Sequence, residues 1–146
     1  MENAAAVSQE WACKFSIGCG GRVWRVSAAH NFPGNSMYNV GHGPKKRALM
    51  TGAEADIFVA GDRHTFTMAQ DQHEFTGKIF WTVRARGYKP LDHYALEHGH
   101  SDAGGEQGIG HSVVAVFDPR DGSVLCFADV RKAAAFLGSI QDGVVA

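Results

Sequence analysis

Two histidines and one aspartate stand where strands are predicted to end, and their side chains are suited to binding a metal ion. The apolar run 55–61, which we interpret as a buried strand, ends at the glycine that begins GDRH (61–64). Residues two positions apart in extended chain point the same way, so Asp62 and His64 can converge on one point. His30 ends the preceding predicted strand, and if the two strands are neighbours in one sheet, all three side chains lie at one edge. A carboxylate and imidazoles are ligands for manganese, iron or zinc. The alternative is that Asp62 and His64 pair with each other or cap the loop.

Further histidines and arginines are weaker candidates. His42 lies in the same predicted loop as His30, where it would compete for the metal or bind a substrate phosphate. Arg63 and Arg86 are suited to bidentate phosphate binding, although an exposed surface position is the simpler interpretation. His98 and His100 are expected to be exposed to solvent. The remaining three histidines are expected at the surface or at hydrogen-bonded core positions: His73, His93 and His111.

Short apolar runs bounded by glycine predict the elements that must position these residues. Strands are predicted over 13–17, 22–29, 55–61, 64–68, 78–85, 111–117 and 123–128. The first two are predicted to form a hairpin across a glycine-rich turn, and the last two a hairpin across DPRDG. Helices are predicted from Pro44 to a stop at Gly52, and over 130–140 behind a cap at Asp129. The pattern therefore indicates an α/β fold, or α+β by some conventions.

Two segments are expected to be loops, and two residue types to fill the core. The proline-, glycine- and asparagine-rich stretch 30–44 predicts a long ordered loop, of a kind that is usually functional, and 88–110 predicts an excursion. The three tryptophans are expected to fill core space: Trp11, Trp24 and Trp81. The three cysteines, which lack C-x-x-C spacing, are expected to be buried free thiols.

Length and charge limit the number of domains and the classes of binding partner. It has 146 residues and a formal charge of −1, which suits one domain and gives no whole-molecule attraction to nucleic acid or to a membrane surface. No apolar run approaches the roughly 18 residues that span a bilayer, and the first residues do not resemble a secretory signal. We expect a cytoplasmic protein whose residues 1–10 are disordered.

The span from about 22 to 137 resembles the C-terminal half of a calcineurin-like metallophosphoesterase. It is most similar to a bacterial and phage branch that carries a stretch like HNFPGNSMYNVGHGP (30–44) and a patch like RGYKPLDHYA (86–95). In that superfamily one strand ends in a lone metal-binding histidine, which His30 matches. A helix and a strand later comes Gly-His-x-His, whose second histidine His64 matches. The resemblance implies half of a two-sheet sandwich flanked by helices, two divalent ions per complete site, and hydrolysis of a phosphate ester.

Two departures from the family pattern bear on activity. Asp62 stands where the family has its first motif histidine, and nothing upstream of His30 resembles the family's D-x-H, G-D-x-x-D or G-N-H-[DE] motifs. The resemblance assigns His30 and position 62 to one metal and His64 to the other. These ligands supply at most one negative charge, whereas two cations about 3.5 to 4 Å apart need a bridging carboxylate and several anionic ligands. We therefore interpret 1–146 as a single partial domain that does not assemble the hydrolytic centre alone.

Three hypotheses about function follow. The first is a phosphoesterase that requires a missing N-terminal half or a second copy, with nucleic acid involved only as one possible substrate. The second is a non-catalytic remnant or binding module with at most one weak metal site. The third, an unrelated small metal-binding β protein, rests on the eight histidines.

Overall fold

A six-stranded sheet of mixed direction forms the centre of the molecule. The computed structural model describes residues 6–8, 11–34, 36–61, 66–85 and 112–142. The strands are β1 (Ala6–Ser8), β2 (Ala12–Cys19), β3 (Arg22–Ala29), β4 (Ile57–Ala60), β5 (Thr67–Gln72), β6 (Ile79–Arg84), β7 (Val114–Phe117) and β8 (Val124–Phe127). The helices are α1 (His42–Met50) and α2 (Val130–Asp142). The large sheet has the strand order β1-β2-β3-β4-β6-β5, and β7 and β8 form a separate hairpin.

The central strands β3, β4 and β6 run parallel, whereas the flanking pairs β1–β2, β2–β3 and β5–β6 are antiparallel. The β2–β3 hairpin turns through Gly20 and Gly21, whose φ angles of 57° and 76° suit the tight turn that matches strand twist. Because β3, β4 and β6 are parallel, their carboxyl ends meet at the same edge of the sheet. We call this edge, with the start of α1, the carboxyl edge.

Four layers are stacked on one another, with α1 on one face of the large sheet and the β7–β8 hairpin on the other. The α1 side holds one apolar cluster: Phe32, Ala48, Ala53, Ala55, Phe58, Ala60 and Phe80. The hairpin side holds a second: Trp24, Val26, Ile57, Val83, Val124 and Cys126. Helix α2 packs on the hairpin, with the Phe127 and Phe136 ring centroids 5.4 Å apart. The central strands are covered on both faces, which explains their nearly continuous apolar sequences.

Side chains of the large sheet fasten the hairpin by donating hydrogen bonds to its main-chain carbonyls. The bonds run from Arg22 Nε to the Pro119 oxygen (2.8 Å), from Trp24 Nε1 to the Gly122 oxygen (3.0 Å) and from Trp81 Nε1 to the Val124 oxygen (2.7 Å). Burying a tryptophan normally requires a partner for its N–H, and the hairpin carbonyls provide one. These bonds fix the position of one sheet on the other.

The buried His73 joins the end of α1 to the turn between β5 and β6. Its Nδ1 accepts a hydrogen bond from the Thr76 N–H at 3.1 Å, so the ring proton is on Nε2, which donates to the Leu49 carbonyl at 3.1 Å. The side chain therefore satisfies two main-chain groups that are distant in sequence. Of the two alternatives that the sequence left open for His73, a surface position or a hydrogen-bonded core position, the structure shows the second.

The α/β class predicted from the sequence is confirmed, and most predicted elements are present with small shifts in their bounds. Helix α1 begins two residues before Pro44 and ends before Gly52, and the Asp129 carboxylate caps α2 by accepting the Arg131 and Lys132 N–H groups at 2.7 and 3.1 Å. The strand expected over 64–68 instead runs from Thr67 to Gln72. Among the described residues, neither helix is long and apolar enough to cross a bilayer.

Two expectations are wrong within the described residues. Ala6–Ser8 pair with β2 as the short strand β1, although disorder was expected over 1–10; the other residues of that segment lie outside the described ranges. Trp11 does not fill the core, because it is 66% exposed. Trp24 is buried and Trp81 partly buried, as expected.

Candidate functional site

The carboxyl edge brings the ends of three strands into register. Ala29 of β3 lies beside Ala60 of β4, which lies beside Arg84 of β6. Gly61, the residue that follows β4, donates its N–H to the His30 carbonyl at 3.0 Å. The condition set by the sequence, that the strands ending at His30 and at GDRH are neighbours, is therefore met.

His30 is exposed at this edge, beside an exposed aromatic ring. Its main-chain N–H donates to the Trp11 carbonyl at 2.8 Å, because Trp11 lies opposite it just outside the β2–β3 ladder. The indole and imidazole ring centroids are 5.7 Å apart with planes tilted by 54°. An exposed imidazole at a strand end is accessible to an ion or to a ligand from solvent.

The remaining predicted metal ligands, Asp62 and His64, lie outside the described residues, as does Arg63. Only the chain leading into them is described, and it places Gly61 next to His30. Within the ranges that the structure describes, no group of three or more histidine, cysteine, aspartate or glutamate side chains could hold a metal ion. Convergence of the three ligands thus remains a prediction.

His42, the weaker candidate for metal or phosphate, is the first residue of α1 and is half-buried. Its N–H donates to the Asn39 carbonyl at 3.0 Å. Its ring lies against Gly34, where an added Cβ would come within 3.0 Å of the imidazole. The structure therefore shows His42 packed on its own loop, and a role with substrate stays a prediction.

Arg84 is a feature of the carboxyl edge that sequence reasoning missed. It is 2% exposed, and its Nη2 approaches Gly43 in the first turn of α1, where a Cβ would lie 3.2 Å from it. The same Cβ would lie 2.6 Å from the Phe32 carbonyl oxygen, so only glycine allows this approach. A buried guanidinium and the positive end of a helix dipole are thus adjacent at this edge. One feature of the sequence could have indicated this position: the apolar strand IFWTVR (79–84) ends in an arginine.

The other candidates do not add to the site. His73 has the structural role given above, whereas His93, His98, His100, His111 and Arg86 lie outside the described residues. The cysteines are free: Cys126 is buried, Cys13 partly buried and Cys19 exposed. Burial raises the pKa of the Cys126 thiol to about 12, so it is not a nucleophile at neutral pH. The expectation of burial holds for Cys126 and fails for Cys19.

Comparison of the chain with protein-family models, with curated proteins and with solved structures finds no match.

Proposed function

We propose that the carboxyl edge is part of the active site of a metal-dependent phosphoesterase, with His30, Asp62 and His64 as metal ligands. The observation that supports this most is the hydrogen bond from Gly61 N–H to the His30 carbonyl, 3.0 Å long. It joins the chain at the start of GDRH to the residue that ends β3. Because β3 and β4 are parallel, both segments leave the sheet at the carboxyl ends of their strands. This is the end at which open α/β sheets bind their ligands.

The three proposed ligands suit one divalent ion, but they are too few to hold two. Imidazole and carboxylate ligands fit manganese, iron or zinc. A bound ion would supply Lewis acidity that polarises phosphoryl oxygens and lowers the pKa of a water molecule. With Asp62 as the single carboxylate among the three ligands, a pair of ions requires further anionic groups. We attribute these to a further N-terminal half or to a second copy of the chain.

The residues of this chain would also orient a phosphate ester. The first turn of α1, which lies beside the buried Arg84, would direct its positive end toward phosphoryl oxygens at this edge. His42 and Arg63 are the side chains proposed to contact the phosphate itself. The setting that we propose for this activity is the cytoplasm.

Titration calorimetry with Mn²⁺ or Zn²⁺ tests the proposal on the chain alone. We expect at most one weakly bound ion per chain, with binding lost in His30→Ala and in Asp62→Asn, whose side chains are assigned to the same metal. Asp121→Asn is the matched control, because that carboxylate lies in the β7–β8 turn, where it accepts the Ser123 N–H. Ion binding that is unchanged in these two ligand variants would rule out the site.

A second candidate function is a non-catalytic binding module, favoured by Asp62 in place of a histidine and by the small number of anionic ligands. The two candidates differ in what happens when the centre is completed. A phosphoesterase hydrolyses bis(p-nitrophenyl) phosphate with Mn²⁺ once the missing ligands are supplied in trans, and loses this activity in His64→Ala. A binding module shows no hydrolysis under any of these conditions.

A further inference from the structure

Four polar side chains, which we call the β2–β3 patch, lie on the face of the large sheet that also carries α1. Lys14 pairs with Ser27, and Ser16 pairs with Arg25. Directly paired residues of antiparallel strands share a face, as do residues two positions apart on one strand. Ser27 also pairs with Phe58, which belongs to the apolar cluster on the α1 side. All four side chains of the patch therefore lie on that side of the sheet.

The β2–β3 patch lines a cavity of about 240 Å³, together with Glu54 and Ala55. Clefts for drug-sized ligands measure roughly 300–1,000 Å³, so this one suits a smaller molecule. Ser27 is 3% exposed and lies deep in the cavity wall. Within the described part of the chain, neither its hydroxyl nor the Arg25 guanidinium makes a hydrogen bond or an ion pair. Because buried polar groups normally have a partner, these two donors are suited to a ligand oxygen.

Positive charge exceeds negative charge around the cavity. The Glu54 carboxylate accepts hydrogen bonds from Lys14 Nζ and from Arg47 Nη2, each 2.9 Å long. The bond from Lys14 lowers the pKa of Glu54, so this carboxylate is charged at neutral pH. One negative charge is thus shared by two cations, and Arg25 adds a third cation. These three cations and one carboxylate leave a net charge of +2.

A second carboxylate, that of Asp56, does not cancel this excess. It accepts the main-chain N–H of Arg25 at 2.6 Å, but its charge is balanced by Lys78 Nζ at 3.0 Å. An anionic ligand in the cavity therefore still meets two uncompensated positive charges.

The donors of the β2–β3 patch are those that bind phosphate. A guanidinium binds phosphate through two parallel hydrogen bonds, and an ammonium group adds a compact positive charge. A phosphomonoester carries roughly −1.5 to −2 charges at pH 7, which matches the positive excess. We infer that the β2–β3 patch binds the phosphate group of a small molecule, with Arg25 and Ser27 as its main contacts. This site contains none of the proposed metal ligands and is separate from the carboxyl edge.

NMR titration of ¹⁵N-labelled protein with inorganic phosphate, in EDTA and at constant ionic strength, tests the site without any metal. We expect saturable shifts of the Ser16, Arg25 and Ser27 amide signals. Arg25→Gln should weaken binding by about 10-fold, the lower end of the effect of one hydrogen bond to a charged group, because the cavity is open to solvent. Arg131→Gln is the matched control, since Arg131 is exposed on α2 and does not line the cavity.

Two further variants test the hydroxyl and the charge. Ser27→Ala should weaken binding by roughly 2- to 10-fold, the effect of one neutral hydrogen bond. It should leave the midpoint of urea denaturation unchanged, because the hydroxyl has no partner within the described residues. Glu54→Gln removes the competing carboxylate and should tighten binding. Circular dichroism checks that each variant is folded. Glycerol 3-phosphate that binds as well as inorganic phosphate assigns the site to phosphomonoesters, and binding of the inorganic ion alone assigns it to free phosphate.

The inference is overturned if phosphate causes no saturable shift, if sodium chloride at equal ionic strength causes the same shifts, or if Arg131→Gln weakens binding as much as Arg25→Gln. It is also overturned if phosphate shifts only the His30 and His42 signals, because the ion would then lie at the carboxyl edge. Since EDTA is present throughout and the variants leave the proposed metal ligands intact, failure here is distinct from failure of the phosphoesterase proposal.

Discussion

Replacing Gly43 by alanine tests the packing that places α1 and Arg84 at the carboxyl edge. The added Cβ would lie 2.6 Å from the Phe32 carbonyl oxygen, a main-chain atom that cannot rotate away, and 3.2 Å from Arg84 Nη2. Forcing such an overlap costs about 1–3 kcal/mol, and a main-chain obstacle favours the upper end. Alanine recovers at most about 1 kcal/mol of helix propensity. The expected result is a net loss of about 2 kcal/mol in the free energy of unfolding.

Gly138→Ala in α2 is the matched control, because nothing lies within 4 Å of a Cβ built at that position. It makes the same chemical change in a helix and should stabilise the protein by up to about 1 kcal/mol. Urea denaturation measures both variants. With a slope near 2 kcal/mol/M, Gly43→Ala should lower the midpoint by about 1 M. A Gly43→Ala variant as stable as the wild type would refute the close approach of α1 to the loop.

Three further predictions concern the bonds that hold the layers together. His73→Ala leaves two main-chain groups without their hydrogen bonds and should lower the free energy of unfolding by about 2–4 kcal/mol; a loss below about 0.5 kcal/mol in urea denaturation would contradict the bridging role. Trp81→Phe removes the donor to the hairpin and should cost about 1–3 kcal/mol, whereas Trp11→Phe, at an exposed site, should cost no more than about 0.5 kcal/mol; equal losses would be inconsistent with this difference. The hydrogen bond from Arg120 lowers the pKa of Asp118 from 3.8 to about 2, so the stability that this pair contributes is present above pH 3.8 and is lost as pH falls through 2. The unfolding midpoint of the wild type should therefore fall more than that of Asp118→Asn between pH 4 and 2, and parallel pH profiles would show that the pair contributes nothing.

The central strands and the hairpins could be predicted from the sequence because local signals and tertiary environment agree there. The run 55–61 is apolar throughout because β4 is covered by α1 on one face and by the hairpin on the other. The turn residues of DPRDG and the cap at Asp129 act within a few residues of their own positions. The sequence placed His30 at this edge only on the condition that β3 and β4 are neighbours, and the structure shows that they pair in parallel.

Features set by contacts distant in sequence could not be predicted. β5 has the polar sequence TMAQDQ, and its strand conformation comes from pairing with β6 at the sheet edge rather than from an apolar pattern. Trp11 has a large apolar side chain, but it lies one residue before β2 and is exposed there rather than covered by another layer of the fold. The burial of Arg84 depends on Gly43 approaching it from α1, and no local signal encodes that contact.

The central claim, that His30 and Asp62 hold a metal ion at the carboxyl edge, is tested most directly by crystals grown with Zn²⁺ or Mn²⁺. An anomalous difference map locates the ion without any assumption about activity. The proposal predicts a peak bonded to the His30 imidazole at about 2.0–2.2 Å, with the Asp62 carboxylate as a second ligand. A protein whose only ions lie away from His30, or whose edge stays free of ions at millimolar metal, would contradict it.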